Sequence, residues 1–206
     1  MARAKSSKRW LRRHFSDAYV KDAHRSGYRS RAVYKLLEID QHARLFKRGM
    51  TVVDLGAAPG GWSQVAAGRV GPAGRVIALD VLPMDPLPGV TFIQGDFREE
   101  AVLESLMRRL SSRSVDLVIS DMAPNLSGVK CSDQARAMDL AGLALDLARN
   151  VLGEQGAFLV KVFQGAGFDD YIRALRQTFA TVVTRKPKAS RPDSREVYLL
   201  ARNYVL

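Results

Sequence analysis

The hydrophobic rhythm of the chain changes near residue 50. Between Asp17 and about Arg44, apolar residues recur at helical spacing, with Val33, Leu36, Leu37 and Ile39 through Leu45 on one face. This predicts helix over that stretch, interrupted at Gly27 and closed by Gly49. Residues 1–16 lack the pattern and are expected to be flexible. From Thr51 onward, short apolar runs alternate with longer amphipathic segments. Strands are predicted at Thr51–Leu55, Arg75–Val81, Val90–Gly95, Val115–Ser120 and Ala157–Phe163. Helices are predicted at Trp62–Val70, Glu99–Leu110, Ser132–Leu152 and Phe168–Phe179. Two last strands, Thr181–Thr184 and Val197–Ala201, have only a basic loop between them.

Strands alternating with helices predict an α/β fold: a Rossmann-like, mostly parallel seven-stranded sheet with helices on both faces. The last two strands have no crossover helix and should add an antiparallel edge. No linker divides the chain, so residues 1–206 are expected to form a single domain, with residues 1–30 as a basic, flexible arm. In such sheets ligands bind beyond the carboxyl ends of the strands. Asp54, Asp80, Asp96 and Asp121 all fall at or near those ends. Any one of them could be a helix cap, but four caps in register are a weaker explanation than one shared site.

Charge sharpens the picture. The chain of 206 residues carries a formal net charge of +11. Residues 1–48 hold 14 Lys and Arg against 4 Asp and Glu, whereas residues 49–206 hold 18 against 17. A basic arm on a near-neutral body points to a polyanion, with RNA or DNA as the natural partner. Trp10, Phe15, Tyr19, Tyr28 and Tyr34 lie among these cations, where they could stack on bases or pack a helix onto the core. The acid-free first 16 residues are similar to a transit peptide, but no cleavage-like break follows them. No apolar run is long enough to span a bilayer. A soluble, cytoplasmic and monomeric protein is therefore expected. The single cysteine, Cys131, reads as incidental. His14, His24 and His42 have no metal-ligand spacing with it, so no metal site is expected.

The first predicted strand runs into Asp54-Leu55-Gly56-Ala57-Ala58-Pro59-Gly60-Gly61-Trp62-Ser63. The dinucleotide fingerprint G-x-G-x-x-G is absent, as is the Lys-Ser/Thr pair of a phosphate-binding P-loop. The nearby acids disfavour a pyrophosphate. They suit S-adenosylmethionine, which offers an α-amino group, a sulfonium and a ribose diol. On this reading Gly56 and Gly60 let the backbone approach the cofactor, and Asp54 serves its methionine end, directly or through water. Asp80 takes the ribose hydroxyls and Asp96 the adenine amino group. Trp62 either packs near the cofactor or anchors its own helix. Lys161 sits in an otherwise apolar strand, which is rare for a lysine unless it is paired or functional.

The segment DLGAAPGGWSQ, the stretch Asp80–Phe97, and the motifs VDLVISDMAPNxSG, GxFLxKVFQG and KPxASRxxSxExY together resemble the FtsJ-type ribose methyltransferases. The resemblance runs from about Tyr28 to the last strand. It implies transfer of a methyl group from S-adenosylmethionine to a uridine 2′-hydroxyl of large-subunit ribosomal RNA, with relatives acting on tRNA or other ribosomal sites. It also implies a Lys-Asp-Lys-Glu tetrad on Lys35, Asp121, Lys161 and Glu196, with Lys161 as general base and Asp121 also touching the cofactor. Taken singly, Lys35 reads as an exposed helix lysine and Glu196 as a strand-end acid. The competing readings are the same chemistry on tRNA or an mRNA cap, and a non-catalytic RNA-binding ribosome-assembly factor. A nicotinamide oxidoreductase is disfavoured by the missing fingerprint.

Overall fold

A computed structural model of the chain describes residues 18–111, 114–125 and 127–205. Within these, the chain begins with helices α1 (Ala18–Arg25) and α2 (Val33–Ala43). Strands and helices then alternate: β1 (Thr51–Leu55), α3 (Gly61–Val70), β2 (Arg75–Asp80), β3 (Val90–Gln94), α4 (Glu100–Leu110), β4 (Val115–Ser120), α5 (Lys130–Val151), β5 (Leu152–Phe163) and α6 (Phe168–Thr178). The chain closes with β6 (Phe179–Arg185) and β7 (Glu196–Tyr204).

All seven strands join one sheet in the order β3-β2-β1-β4-β5-β7-β6. The first five pair in parallel, while β7 runs antiparallel to both β5 and β6. The expected antiparallel pair is present, with one refinement. The strand that opposes the others is β7, one place in from the edge, and β6 forms the edge itself. Strand β5 also begins at Leu152 rather than Ala157, with a shift in its register to β4 between Val115 and Leu117.

The period-2 alternation of the strands divides the core into two layers. Val53, Leu55, Ile77, Leu79, Val118, Phe158, Val160 and Val162 face α4, α5 and α6. Val52, Val76, Leu117, Ile119, Leu159, Tyr198 and Leu200 face α2 and α3. Lys161 follows Leu159 on this second face, where the layer opens at the carboxyl end of the sheet. Strand order reverses between β1 and β4, and at that point a doubly wound sheet leaves a crevice.

The two N-terminal helices are separated by a longer connection than the expected single break. Gly27 takes φ +71° within it. Residues 18–30 are docked rather than arm-like. Val20 and Ala23 are buried, Gln64 Nε2 donates to the Gly27 carbonyl at 2.9 Å, and Arg29 donates to the carbonyls of Pro59, Asp85 and Pro86. The expected flexible arm therefore concerns at most residues 1–17, which lie outside the described residues. Among the described residues, no helix is long and apolar enough to cross a membrane. Helix α2 is held by Val33, Leu36 and Ile39, all buried against β1, α3 and β7. Replacing the fully buried Leu36 by alanine should cost about 2–5 kcal/mol, read as a lower midpoint with an unchanged slope in urea unfolding.

Candidate active site

The site forms where β1, β4, β5 and β7 meet the helix that follows the glycine loop. Gly56 adopts φ +72°, and a Cβ there would collide with the Met122 side chain. Only glycine lets β1 turn while the loop after β4 closes over it. Gly60, at φ +107°, opens α3. A side chain there would meet Leu87, Met84 and Arg29, so this turn is packed beneath the β2–β3 loop.

A cleft of about 490 Å³ opens beside the loop, lined by Gly56, Ala58, Asp80, Asp96, Asp121 and Asn125 on its polar side and by Leu79, Phe97, Met122, Leu140 and Leu143 on its apolar side. This size and mixed lining suit a nucleoside-sized ligand. Asp80 accepts the backbone N–H groups of Ala58 and Leu82, each at 2.8 Å, which fixes its carboxylate at the mouth. Asp96 is bound by Arg98 through both oxygens. Hydrogen bonds from Arg98 hold it below the usual carboxylate range. The Arg98 backbone N–H also donates to Oδ1 at 3.0 Å.

Asp54 lies deeper, 1% exposed. Ser63 Oγ donates to its Oδ2 at 2.6 Å, while Oδ1 is buried without a partner. Burial, joined by the nearby carboxylates of Asp121 and Asp80, pushes its pKa up to about 7 despite the Ser63 hydrogen bond. Three acids crowded around one loop repel an anionic ligand and attract a cationic one. The sulfonium and α-ammonium of S-adenosylmethionine fit that requirement, and a pyrophosphate does not.

Of the residues expected at the cofactor, Gly56, Asp80, Asp96 and Asp121 line the cleft, whereas Asp54, Gly60 and Trp62 do not. Trp62 takes the second of its two readings. Its indole N–H donates to the Ala32 carbonyl at 2.9 Å and its ring lies 5.7 Å from that of Tyr198, so it anchors α3 against α2 and β7.

Next to the cleft, Lys35, Asp121, Lys161 and Glu196 converge. Lys161 Nζ lies 3.1 Å from Asp121 Oδ1 and donates to the Asp121 backbone carbonyl at 2.5 Å. Its side chain is 7% exposed. Lys35 Nζ, delivered by α2, lies 2.7 Å from Glu196 Oε1. Ser190 Oγ, from the basic loop, donates to that oxygen at 2.8 Å. The two pairs are joined by Tyr198, whose hydroxyl donates to Asp121 Oδ1 at 2.6 Å and lies 3.5 Å from Glu196 Oε1. Burial and the two neighbouring carboxylates raise its pKa well above the ordinary tyrosine value, so the phenol keeps its proton and donates. Lys35 Nζ also lies 5.7 Å from the centre of the Tyr198 ring. Tyr198 was not singled out from the sequence. Its signals there are its place as the last residue of the motif KPxASRxxSxExY and its spacing two residues after Glu196, which in a strand puts both side chains on one face. Among the described residues, no group of His, Cys, Asp and Glu could hold a metal ion.

A Rossmann-like sheet, an acidic cleft beside a glycine turn and two adjacent lysine–carboxylate pairs define a group-transfer enzyme of the methyltransferase class. The FtsJ-like methyltransferase model matches residues 28–204, and the chain belongs to that family. It is 60% identical over 204 residues to the ribosomal RNA large subunit methyltransferase E of Pseudomonas paraeruginosa and to that of Pseudomonas aeruginosa, covering 99% of each chain. Among solved structures it is similar to a Plasmodium falciparum protein assigned as a ribosomal RNA methyltransferase. The TM-score is 0.76 and the identity 31%, over 86% of this chain and 98% of that one. A Clostridium thermocellum protein assigned as an rRNA methylase, 18% identical with a TM-score of 0.53 over 82% of this chain and 97% of its own, shares the fold.

The raised pKa of Asp54 has a consequence for stability. Below about pH 4 both folded and unfolded chains hold its proton. Between about 4 and 7 the unfolded chain releases a proton that the folded one retains, so stability falls as pH rises, and the loss is complete above about 7. Asp54→Asn removes this dependence. The stability of the variant relative to wild type should rise by roughly 3–4 kcal/mol between pH 4 and 8, measured by urea unfolding of the cofactor-free protein. A difference that stays flat across that range would contradict the assignment.

Proposed function

We propose that this protein transfers the methyl group of S-adenosylmethionine to the 2′-hydroxyl of a uridine ribose in large-subunit ribosomal RNA, acting as a soluble monomer. The observation that carries this reading is the position of Lys161, buried and tied to Asp121, which itself lines the cleft. The names of the relatives that match over nearly the full chain support a large-subunit RNA substrate. The net charge of +11 suits a polyanion.

The chemistry follows from the hydrogen bonds. A ribose hydroxyl is a weak nucleophile and must lose its proton as it attacks. To act as the base, Lys161 must give up a proton from its ion-paired ammonium and become the free amine, with two N–H groups and one lone pair. The carboxylate and the backbone carbonyl of Asp121 are placed to hold those two N–H groups. The lone pair is left for the incoming proton. Asp121 then faces a new ammonium and stabilises it. Tyr198 holds the Asp121 oxygen in place, and Lys35 with Glu196 orients the ribose from the opposite side. When bound, S-adenosylmethionine supplies the electrophilic methyl on its sulfonium. Asp80 would take its ribose hydroxyls, Asp96 its adenine end and Asp54 its methionine end, with Gly56 allowing close approach. Gly60 and Trp62 would act indirectly, by shaping the loop and anchoring α3.

Lys161→Ala should lower the rate of labelled methyl transfer to large-subunit RNA by about 100- to 10,000-fold while calorimetry still detects S-adenosylmethionine binding. Full activity in that variant would remove the proposed base. Loss of cofactor binding in the wild-type protein would instead favour a non-catalytic RNA-binding factor. Mass mapping of the product, on free RNA and on assembled subunits, tests the ribose position. Deleting residues 1–17, which carry six of the basic side chains, should weaken RNA binding and flatten the dependence of log K on log salt. An unchanged slope would make that segment a spectator.

A further inference from the structure

A second concavity of about 650 Å³, separate from the cofactor cleft, lies between α1, α2 and the basic loop. Its walls are Tyr19, Tyr34, Leu37, Arg69, Lys188 and Ala189, with Glu38, Gln41 and His42 along one side. Tyr34, Leu37, Glu38 and Gln41 follow helical spacing, so they form one stripe of α2. The stripe formed by Val33, Leu36 and Asp40 is the buried one.

The groove is aromatic. The rings of Tyr19 and Tyr34 lie 5.4 Å apart, Tyr28 meets Tyr34 edge-on at 6.1 Å, and the Arg31 guanidinium lies 5.5 Å from the Tyr19 ring centre. All three tyrosines are half-buried, which leaves part of each ring surface accessible. The rim is cationic in effect. The groove's one acid, Glu38, accepts the backbone N–H of Lys188 at 2.8 Å. Asp40 beneath it is engaged by Arg69 and by the backbone of Leu45 and Phe46. The Lys188 ammonium makes no ion pair among the described residues. Arg185, Lys186, Arg191 and Arg195 extend the positive charge along the same loop.

Along the chain, residues of the groove adjoin residues of the lysine–carboxylate pairs at two points. Tyr34 precedes Lys35 on α2, and Ala189 precedes Ser190, which donates to Glu196. Consecutive Cα atoms are about 3.8 Å apart, so the groove begins within the span of one nucleotide from a ribose held at Lys35 and Glu196.

We infer that this groove is a subsite for an unpaired RNA base adjacent to the modified ribose, stacked on Tyr34 and Tyr19 with its phosphate near Lys188. The inference rests on the proposed RNA substrate. An aromatic floor under a cationic rim fits a single-stranded nucleotide, whose π-face and phosphate are both exposed. The bases of a duplex are already stacked on each other and cannot enter.

The test uses the full-length protein and an oligouridylate carrying one central 2-aminopurine, whose fluorescence is quenched on stacking. Wild-type protein should quench it. Tyr34→Ala and Tyr19→Ala should each lose most of the quenching and weaken binding about tenfold, and Tyr34→Phe should retain both. Tyr34→Leu, which keeps apolar packing without an aromatic face, should behave like the alanine variant. Urea midpoints within the wild-type range identify variants that remain folded. Quenching and affinity that persist in Tyr34→Leu and Tyr19→Ala would overturn the subsite. An equal loss of affinity for duplex RNA would also overturn it. Methyl transfer to large-subunit RNA by the wild-type protein is measured alongside. Tyrosine-dependent quenching without transfer refutes the proposed reaction alone, and transfer with tyrosine-independent binding refutes the groove alone.

Discussion

A lysine inside an apolar strand can stay folded only if something of opposite charge meets it, because removing an ammonium from water costs several kcal/mol when it is left unpaired. In this protein Asp121 meets that need for Lys161, and the requirement organises the centre of the molecule. It fixes β4 beside β5 with their carboxyl ends level. It leaves Asp121 needing a second donor, which the phenol of Tyr198 provides from β7. The antiparallel register places Tyr198 directly opposite Lys161 and Glu196 opposite Phe163. The same strand thus brings the second carboxylate to Lys35. Two ion pairs from four elements share one buried hydroxyl, and moving any of the four would leave a buried charge exposed to the others.

Around this seam the electrostatics divide into two regions. The cofactor cleft is acidic: Asp80, Asp96 and Asp121 line it and Asp54 lies below. The face formed by α1, α2 and the loop between β6 and β7 is basic and aromatic. A polyanion is attracted to one region and repelled from the other, so substrate phosphates do not compete for the cleft. The lysine–carboxylate pairs sit between the two regions, where the proposed reaction would bring a ribose hydroxyl to the methyl donor.

Much of this was legible in the residues themselves. Alternation with period 2 in the strands and 3.6 in the helices is set locally, and it located the helices from α3 to α6 and the strands, apart from the opening residues 152–156 of β5. The Asp residues at strand ends and the glycine turn were visible for the same reason, since a parallel sheet brings successive strand ends to one edge. The lysine in β5 stood out because its neighbours are apolar. The tetrad on Lys35, Asp121, Lys161 and Glu196 was taken from a resemblance in sequence, and the coordinates bring those four side chains together.

What the sequence could not carry was the order in which distant segments meet. Periodicity is blind to strand order, so only the assembled sheet set β7 between β5 and β6 and made Tyr198 the bridge between the two pairs. Burial also depends on neighbours far along the chain. It put Asp54 and Trp62 beneath the site rather than in the cleft, and it docked residues 18–30, which look like a basic arm on charge alone. Local chemistry determined which groups were available, and long-range packing decided which of them touch, because each contact between remote segments depends on all the others having formed.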